Sequence, residues 1–245
     1  MKRLFVDLHL SFFQKDPKSF QHTIQRAANF GYHYVSASFS SEPSSEEVEN
    51  LRVMCKNVGV EPVLRLDLRP RNENELMHNL RRLRRKFDVI CVFCDSKVIS
   101  RQAAKDRRVD LLNFPNFDYR RRFFDRSEAE LASSSGLAAL EIDVRPLFVL
   151  EGSMRTRFLS CLRREVVIAR AFGVPLVVSS GVSEERFMRL PREMASLAHL
   201  FGVGVREALD AVSVNPLAIV LRNRGKLCDD FIAPGVRLVR EGDGL

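Results

Sequence analysis

The sequence of 245 residues has no tryptophan, three tyrosines and five histidines. Lysine is scarce as well, because 31 of the 39 basic residues are arginines. No apolar run approaches the ~20 residues that a membrane-spanning helix requires, so we expect no membrane association. The first residues lack the apolar core of a signal peptide and reach Asp7 too early for one. We therefore expect a cytoplasmic protein.

Sequence signatures of several enzyme classes are also missing. The chain has no Gly-x-Ser-x-Gly, no Gly-x-Gly-x-x-Gly and no P-loop lysine, so no nucleophile elbow, dinucleotide fingerprint or P-loop is indicated. Five cysteines without framework spacing argue against a disulfide scaffold. Cys91 and Cys94 match C-x-x-C, but they fall in a predicted strand, where residues three apart face opposite sides. We predict buried thiols rather than a zinc or redox site.

Arginine is what the chain has in excess, and it gives a formal net charge of +8. The arginines occur in runs, at Arg81–Arg85, Arg107–Arg108 and Arg120–Arg122. The planar guanidinium binds phosphate through two parallel hydrogen bonds and stacks on bases, so this composition favours a polyanion partner. Solvated helix faces produce the same composition, and charge alone does not separate the two readings.

Short apolar strands alternate with amphipathic helices along the chain. We predict strands that start near residues 4, 33, 61, 87, 109, 137 and 175. Such alternation indicates a parallel sheet with right-handed crossovers, and seven or eight units in this length favour closure. We therefore predict an α/β fold, a TIM-like (β/α) barrel forming one domain over 1–245 and irregular at its last units. Asp210–Val214 is the candidate eighth strand, and residues 116–135 are the least regular segment.

Acidic residues and one histidine are predicted at the carboxyl ends of strands, where barrel enzymes hold their active sites. Asp7 and His9 share a strand face, Glu141 and Asp143 repeat that geometry on the sixth strand, and Asp67 ends the third. Carboxylates and imidazoles from several strand ends are what a metal-dependent phosphoesterase needs. This set is the enzymatic alternative that the sequence offers.

The histidine count argues against that alternative. A two-metal site usually has a second imidazole beside the first, and position 11, where it would lie, is serine. We expect Asp67, Glu141 and Asp143 to pair with arginine in the barrel mouth instead. We predict no catalytic residue, no metal and no cofactor in this chain.

The sequence contains more residues suited to binding RNA than residues suited to catalysis. The segment Tyr119–Phe124 interleaves aromatic residues with arginines, as expected where phosphates and unstacked bases are bound together, although Phe123 and Phe124 equally suit the core. Other basic residues flank predicted loops. The predicted RNA-binding residues are Arg101, Lys105, Arg107, Arg108, Arg120, Arg121, Arg145, Arg189 and Arg192. A pure protein adaptor with basic loops facing an acidic partner is the further alternative.

Several segments in order resemble the protein component 3 family of archaeal ribonuclease P, which is related to a eukaryotic subunit of the same ribonucleoprotein. The resemblance spans about residues 3–225. The segments that carry it are Ser100–Lys105, Val109–Leu112, Leu140–Leu147, Arg164–Pro175, Val177–Ser180, Arg189–Glu193, Leu197–Gly202, Asn215–Pro216 and Leu221–Arg224. No single segment is as specific as a Walker sequence, but their order and spacing together support the resemblance.

The resemblance implies a barrel related to the polymerase-and-histidinol-phosphatase superfamily of metal phosphoesterases. It implies a noncatalytic subunit, because the RNA of the complex removes the 5′ leader of precursor tRNA, and any Mg²⁺ would belong to that RNA catalyst. It further implies a heterotetramer with ribonuclease P protein component 2. Arg101, Arg145, Arg189 and Arg192 match family segments, whereas RNA contact elsewhere rests on charge alone. The tail after Arg224 matches no pattern.

Overall fold

The strands of the computed structural model form one parallel sheet and one short hairpin. The structure describes residues 3–11, 17–115, 119–228, 231–233 and 236–237. Within these ranges the strands are β1 (Phe5–Ser11), β2 (Tyr32–Phe39), β3 (Glu61–Leu68), β4 (Val89–Phe93), β5 (Leu111–Asn113), β6 (Ala139–Asp143), β7 (Leu176–Ser179), β8 (Phe231–Ala233) and β9 (Val236–Arg237). The first seven pair in chain order, all parallel, and β8 and β9 pair with each other.

Helices follow the strands and cover the outside of the sheet. They are α1 (Pro17–Asn29), α2 (Ser45–Val58), α3 (Glu73–Leu83), α4 (Lys97–Lys105), α5 (Arg126–Ser135), α6 (Arg145–Val149), α7 (Gly152–Phe172), α8 (Pro191–Ala198), α9 (Val205–Ala211) and α10 (Val214–Leu227). Two of the helices begin with a capping side chain: the Ser44 hydroxyl accepts from the backbone N–H of Glu47, and the Asn72 side chain accepts from that of Glu75.

The sheet closes into a barrel between β7 and β1. A parallel bridge joins Leu10 to Val182 just beyond β7, and the backbone N–H of Val6 donates to the carbonyl of Val212. The predicted TIM-like barrel is therefore confirmed, with seven strands rather than eight. Asp210–Val214 is not a strand, because it spans the end of α9 and the start of α10.

Side chains inside the barrel divide into an apolar and a polar layer. The apolar layer fills the half nearest the amino ends of the strands, with Val6, Val63 and Val89 among its members. Ile219 and Val220 of α10 belong to the same cluster. Helix α10 thus closes the amino end of the barrel, which explains why no eighth strand is needed there. The polar layer lies toward the carboxyl ends, as described below.

Two further sequence predictions differ from the structure. The segment after β5 is not irregular throughout, since α5 begins after a capping box between Asp125 and Glu128 and ends at Gly136. The fifth strand begins at Leu111 rather than near residue 109. Cys91 and Cys94 are both buried, in the inner and the outer cluster respectively, as the strand period requires. The tail Asp229–Val239 lies largely outside the described residues.

Candidate functional site

A buried arginine lies at the centre of the polar layer. Arg65 on β3 is fully buried, and two of its nitrogens donate to the two carboxylate oxygens of Glu141, at 2.6 and 2.8 Å. Its Nε donates to Asp67 at 2.6 Å, and a terminal nitrogen reaches the carbonyl of Leu8 at 2.7 Å. The expected pairing of acids with arginine in the barrel is confirmed for Asp67 and Glu141. Arg65 itself was missed, although its two-residue spacing from Asp67 places both on one strand face.

Glu141 is held by more than Arg65. It accepts hydrogen bonds from Ser179 at 2.7 Å and from the side-chain amide of Asn113 at 2.9 Å. The same amide donates to Asp143 at 3.0 Å. These partners come from β5, β6 and β7, whose inward positions lie side by side in the register. The carboxylates of the polar layer are therefore already hydrogen-bonded to protein groups.

His9 and Asp143 form the second ion pair of the layer. His9 Nδ1 lies 2.7 Å from Asp143 Oδ1, and Nε2 lies 3.6 Å from Asp67 Oδ2. Burial and the charge of Arg65 lower the pKa of His9, but the two carboxylates outweigh them and raise it to about 9. Burial opposes ionisation of Asp143, yet His9 holds the pKa of that carboxyl well below its usual range. At neutral pH the pair is an imidazolium and a carboxylate.

Asp7 does not join this pair, contrary to the predicted shared face. Strand β1 has an irregular register between Asp7 and Leu10, and the Asp7 carboxylate accepts instead from the backbone N–H groups of His9 and Ser180, both at 3.1 Å. Burial raises the pKa of Asp7. Next to it, Gly181 has a φ of +63°, and a Cβ there would lie 2.7 Å from Asp143 Cβ. The turn after β7 thus requires glycine.

The polar layer does not fit a divalent cation. Ligand atoms of His9, Glu141 and Asp143 lie within 4.8 Å of one another. The guanidinium of Arg65, however, already bonds both oxygens of Glu141, so this carboxylate is committed to a cation of the protein itself. Arginine thus supplies the positive charge that a metal would bring in an enzyme of this type. The side chain of Ser11, where a second imidazole would stand, lies outside the described residues.

Aromatic and arginine side chains cover the polar layer. The Arg69 guanidinium lies 3.8 Å from the centroid of the Phe93 ring, and it approaches Asp95 at 3.6 Å. The edge of Phe93 faces the ring of His9, with centroids 6.1 Å apart. His9 retains 8% exposure and Asp143 1%, so the layer is closed to all but the smallest ligands.

The predicted RNA-binding residues do not lie on one surface. Five follow the carboxyl ends of strands: Arg120 and Arg121 after β5, Arg145 after β6, and Arg189 and Arg192 after β7. Together with Arg69 and Arg186 we call them the carboxyl-end arginines. The guanidinium of Arg192 is exposed and has no carboxylate partner among the described residues. Arg121 approaches Asp95 and donates to its backbone carbonyl at 2.9 Å.

The remaining predicted residues, Arg101, Lys105, Arg107 and Arg108, lie elsewhere on the barrel. Arg101 is inside α4, half-exposed, with its Nε 3.5 Å from buried Glu128. Lys105 ends α4, and Arg107 and Arg108 lead into β5, so these three lie at the amino end of the barrel. Arg108 bonds Asp106 at 2.6 and 2.9 Å, which gives it a structural partner.

Other amino-end arginines are also paired with acids. Arg222 and Asn223 of α10 donate to Asp110 at 2.7 and 2.8 Å, and Arg224 contacts Asp88 at 3.2 Å. These bonds tie α10 to the segments that precede β4 and β5. These arginines therefore have a structural role within the fold, as Arg108 does.

Arg122 separates from its two neighbours in the run Arg120–Arg122. It is 3% exposed and bonds both carboxylate oxygens of Glu165 on α7, at 2.9 and 2.6 Å. Phe124 is fully buried and Phe123 packs against the core, so the packing alternative for both is confirmed. The side chain of Tyr119 lies outside the described residues. No helix in the described part of the chain is both long enough and apolar enough to cross a membrane.

The chain is similar to known proteins over most of its length. The family described as "RNase P subunit p30" matches residues 4–227. Ribonuclease P protein component 3 of Methanosarcina acetivorans is 30% identical over 224 residues, which cover 91% of this chain and 92% of that protein. The same component of Methanosarcina mazei is 34% identical over 184 residues, 75% of this chain and 72% of that protein.

A solved structure shares the fold. A chain in a cryo-EM structure of archaeal ribonuclease P with mature tRNA superposes with a TM-score of 0.84 at 18% identity, over 98% of this chain and 100% of that one. A putative prolidase from Bifidobacterium longum reaches 0.55 at 11% identity over 90% of this chain and 70% of that one, which reflects a common barrel. With nearly its whole length matched, this chain belongs to the RNase P subunit p30 family.

Proposed function

We propose that this chain is a noncatalytic protein subunit of ribonuclease P, which supports removal of the 5′ leader of precursor tRNA by the RNA of the complex. The observation that carries the proposal is the family match over residues 4–227. The barrel interior supports it, because both oxygens of the Glu141 carboxylate are already hydrogen-bonded to Arg65. The subunit acts by binding RNA and a partner protein.

The carboxyl-end arginines are the proposed RNA contact. Arg120, Arg121, Arg145, Arg189 and Arg192 come from three neighbouring loops, so one RNA backbone can reach several of them. Guanidinium groups neutralise phosphates and release condensed counterions, which makes such binding strongly dependent on salt. Arg101, Lys105, Arg107 and Arg108 stay predictions as RNA contacts, and their position elsewhere on the barrel would require a second RNA segment.

The proposed protein partner is ribonuclease P protein component 2, in a heterotetramer. The resemblance to the protein component 3 family supports that partner. We also propose that the chain has no resident cofactor, that Mg²⁺ belongs to the RNA catalyst, and that the complex acts in the cytoplasm. The precursor tRNA is then met through the assembled complex.

Reconstitution tests the proposal. Ribonuclease P RNA and its partner proteins are assayed for 5′-leader cleavage of precursor tRNA with and without this chain, and the chain is assayed alone. We expect the mixture to be stimulated and the chain alone to be inert. An unstimulated mixture would contradict the assignment as a subunit, and cleavage by the isolated chain would contradict the noncatalytic role.

A further inference from the structure

Four side chains from two carboxyl-end loops form a stack of flat groups. Phe148 of α6 and Phe187, which ends a short 3-10 helix after β7, lie nearly parallel at 13°, with centroids 6.5 Å apart. The guanidinium of Arg189 lies 4.4 Å from the Phe148 centroid, and that of Arg186 lies 4.7 Å from the Phe187 centroid. We call Phe148, Phe187, Arg186 and Arg189 the Arg–Phe stack, and each of these side chains ends in a planar group.

The Arg–Phe stack is fixed in position by its surroundings. Met188 lies between Phe187 and Arg189 in the chain, and its side chain is buried, with 1% exposure. One terminal nitrogen of Arg189 donates to the carbonyls of Arg186 and Met188, at 2.9 and 2.8 Å. The hydroxyl of Tyr32 donates to the carbonyl of Arg189 at 3.1 Å. The backbone that carries the stack is thus held by the core, and binding would cost little ordering of this segment.

The stack is also partly exposed to solvent. Phe148 and Phe187 are each only half-buried, and the side chain of Arg186 is 72% exposed. Glu184 at 2.8 Å is the carboxylate partner of Arg186, whereas the Arg189 guanidinium has none among the described residues. Phe148 and Phe187 pack against the core with part of their surface, and a cation over an aromatic ring at the surface adds about 0.5–1 kcal/mol to such a contact.

These features match the chemistry that recognises an unpaired nucleotide. Aromatic rings and guanidinium planes bind base faces, and spare guanidinium N–H groups bind the phosphate beside the base. Arg192, exposed and without a carboxylate partner among the described residues, follows within one helical turn of Arg189. We infer that the Arg–Phe stack binds an unpaired base of a single-stranded RNA segment, with Arg189 and Arg192 at its phosphates. The inference rests on the proposed function, that this chain binds RNA.

Abasic RNA separates stacking from charge. Fluorescence anisotropy of the full chain is measured with a labelled single-stranded RNA of about ten nucleotides and with a copy whose central nucleotides lack bases but keep their phosphates. We expect the intact RNA to bind at least about fivefold more tightly, the lower end for one stacked base. Equal binding of both RNAs would overturn the inference.

Conservative variants assign the effect to the stack. Phe148→Leu with Phe187→Leu keeps apolar volume but removes the ring faces, and Arg189→Lys keeps the charge but removes the plane. Both are expected to bind intact and abasic RNA alike, with the salt dependence retained. Phe5→Leu, a half-buried phenylalanine at the amino end of β1, is the matched control and should keep the preference. A preference that survives in the double leucine variant would overturn the inference.

The outcomes also separate this inference from the function beneath it. If the chain binds intact and abasic RNA equally, in a salt-dependent way, and still stimulates precursor cleavage, the stacking site is contradicted. The proposed role as an RNA-binding subunit is then retained. If the unaltered chain neither binds RNA nor stimulates precursor cleavage, the proposed function itself is contradicted. Stack variants that bind RNA normally but no longer associate with the partner protein would make this surface a protein interface, contrary to the inference.

Discussion

Arg65 and Glu141 form a doubly hydrogen-bonded ion pair across the inside of the barrel, with N–O distances of 2.6 and 2.8 Å and no exposure of either side chain. Two charges can lie in such a place because each has further partners, Asp67 and Leu8 for the arginine, Asn113 and Ser179 for the glutamate.

Removing Arg65 should destabilise the fold more than any surface arginine does. Arg65→Met leaves the Glu141 carboxylate buried without its cation, and the loss of a buried partner costs about 3–5 kcal/mol. Urea unfolding measures the change in the free energy of unfolding. Arg52→Met, on the exposed face of α2, is the control and should stay within about 0.5 kcal/mol. Equal effects at the two sites would show that the pair contributes nothing specific.

Metal should not bind in the barrel mouth of the unaltered protein. After incubation with Zn²⁺ or Mn²⁺ and dialysis, we expect far less than one ion per chain, because the Arg65 guanidinium already bonds both oxygens of Glu141. Elemental analysis of the unaltered chain and of His9→Ala gives the measurement. Stoichiometric metal that disappears in His9→Ala would restore the enzymatic alternative.

The neighbouring residues Arg121 and Arg122 should respond in opposite ways to the same substitution. Arg122→Gln breaks a buried bidentate pair with Glu165 and should cost about 3–5 kcal/mol, with no direct effect on RNA. Arg121→Gln removes an exposed charge, so stability should change by less than about 0.5 kcal/mol while the salt slope of RNA binding falls. Urea unfolding and salt titration are run on both variants. The reverse assignment would refute the division of this run into a structural and a binding residue.

Salt titration should locate the RNA on the carboxyl-end loops. Arg189→Gln with Arg192→Gln removes two proposed phosphate contacts, so the slope of log K against log salt should fall by about two. Arg164→Gln with Arg206→Gln, an equal charge change on the outer faces of α7 and α9, is the control and should leave the slope nearly unchanged. A control that flattens the slope as much would indicate diffuse attraction by net charge.

Glu128 should give the fold a measurable pH dependence. Burial, together with neighbouring Asp125, raises its pKa from 4.5 to about 7, so between these values the native state holds a proton that the unfolded state has released. The free energy of unfolding therefore falls as pH rises from 4.5 to 7, and the loss of this stabilising contribution is complete above pH 7. Glu128→Gln keeps the capping geometry but cannot titrate.

Stability measurements at pH 5 and pH 8 check the sign. The Gln variant should gain stability relative to the unaltered chain as pH is raised between these points. Glu130→Gln, an exposed position on the same helix, is the matched charge control. If the Gln variant instead loses stability relative to the unaltered chain between pH 5 and pH 8, the ionised form of Glu128 is the stabilised one, with Arg101 as its partner.

The alternation of strands and helices could be read from the chain because each element buries one face at its own period. Leu76, Leu80 and Leu83 line the buried side of α3, as the helical spacing requires. Whether an eighth strand follows these seven could not be read. Closure by seven depends on α10 placing Ile219 and Val220 inside the amino end of the barrel, and that contact is a property of packing rather than of local sequence.

Charge shows the same division. The sequence by itself determined the arginine excess, the family resemblance and the absence of the usual enzyme signatures. Only the tertiary structure decided which arginines work inside the fold and which face outward. Arg65 and Arg122 are buried against glutamates, whereas Arg192 has no carboxylate partner among the described residues. The physical reason is that a guanidinium's role depends on the carboxylates brought to it from distant strands and helices, and a linear sequence does not specify those distances.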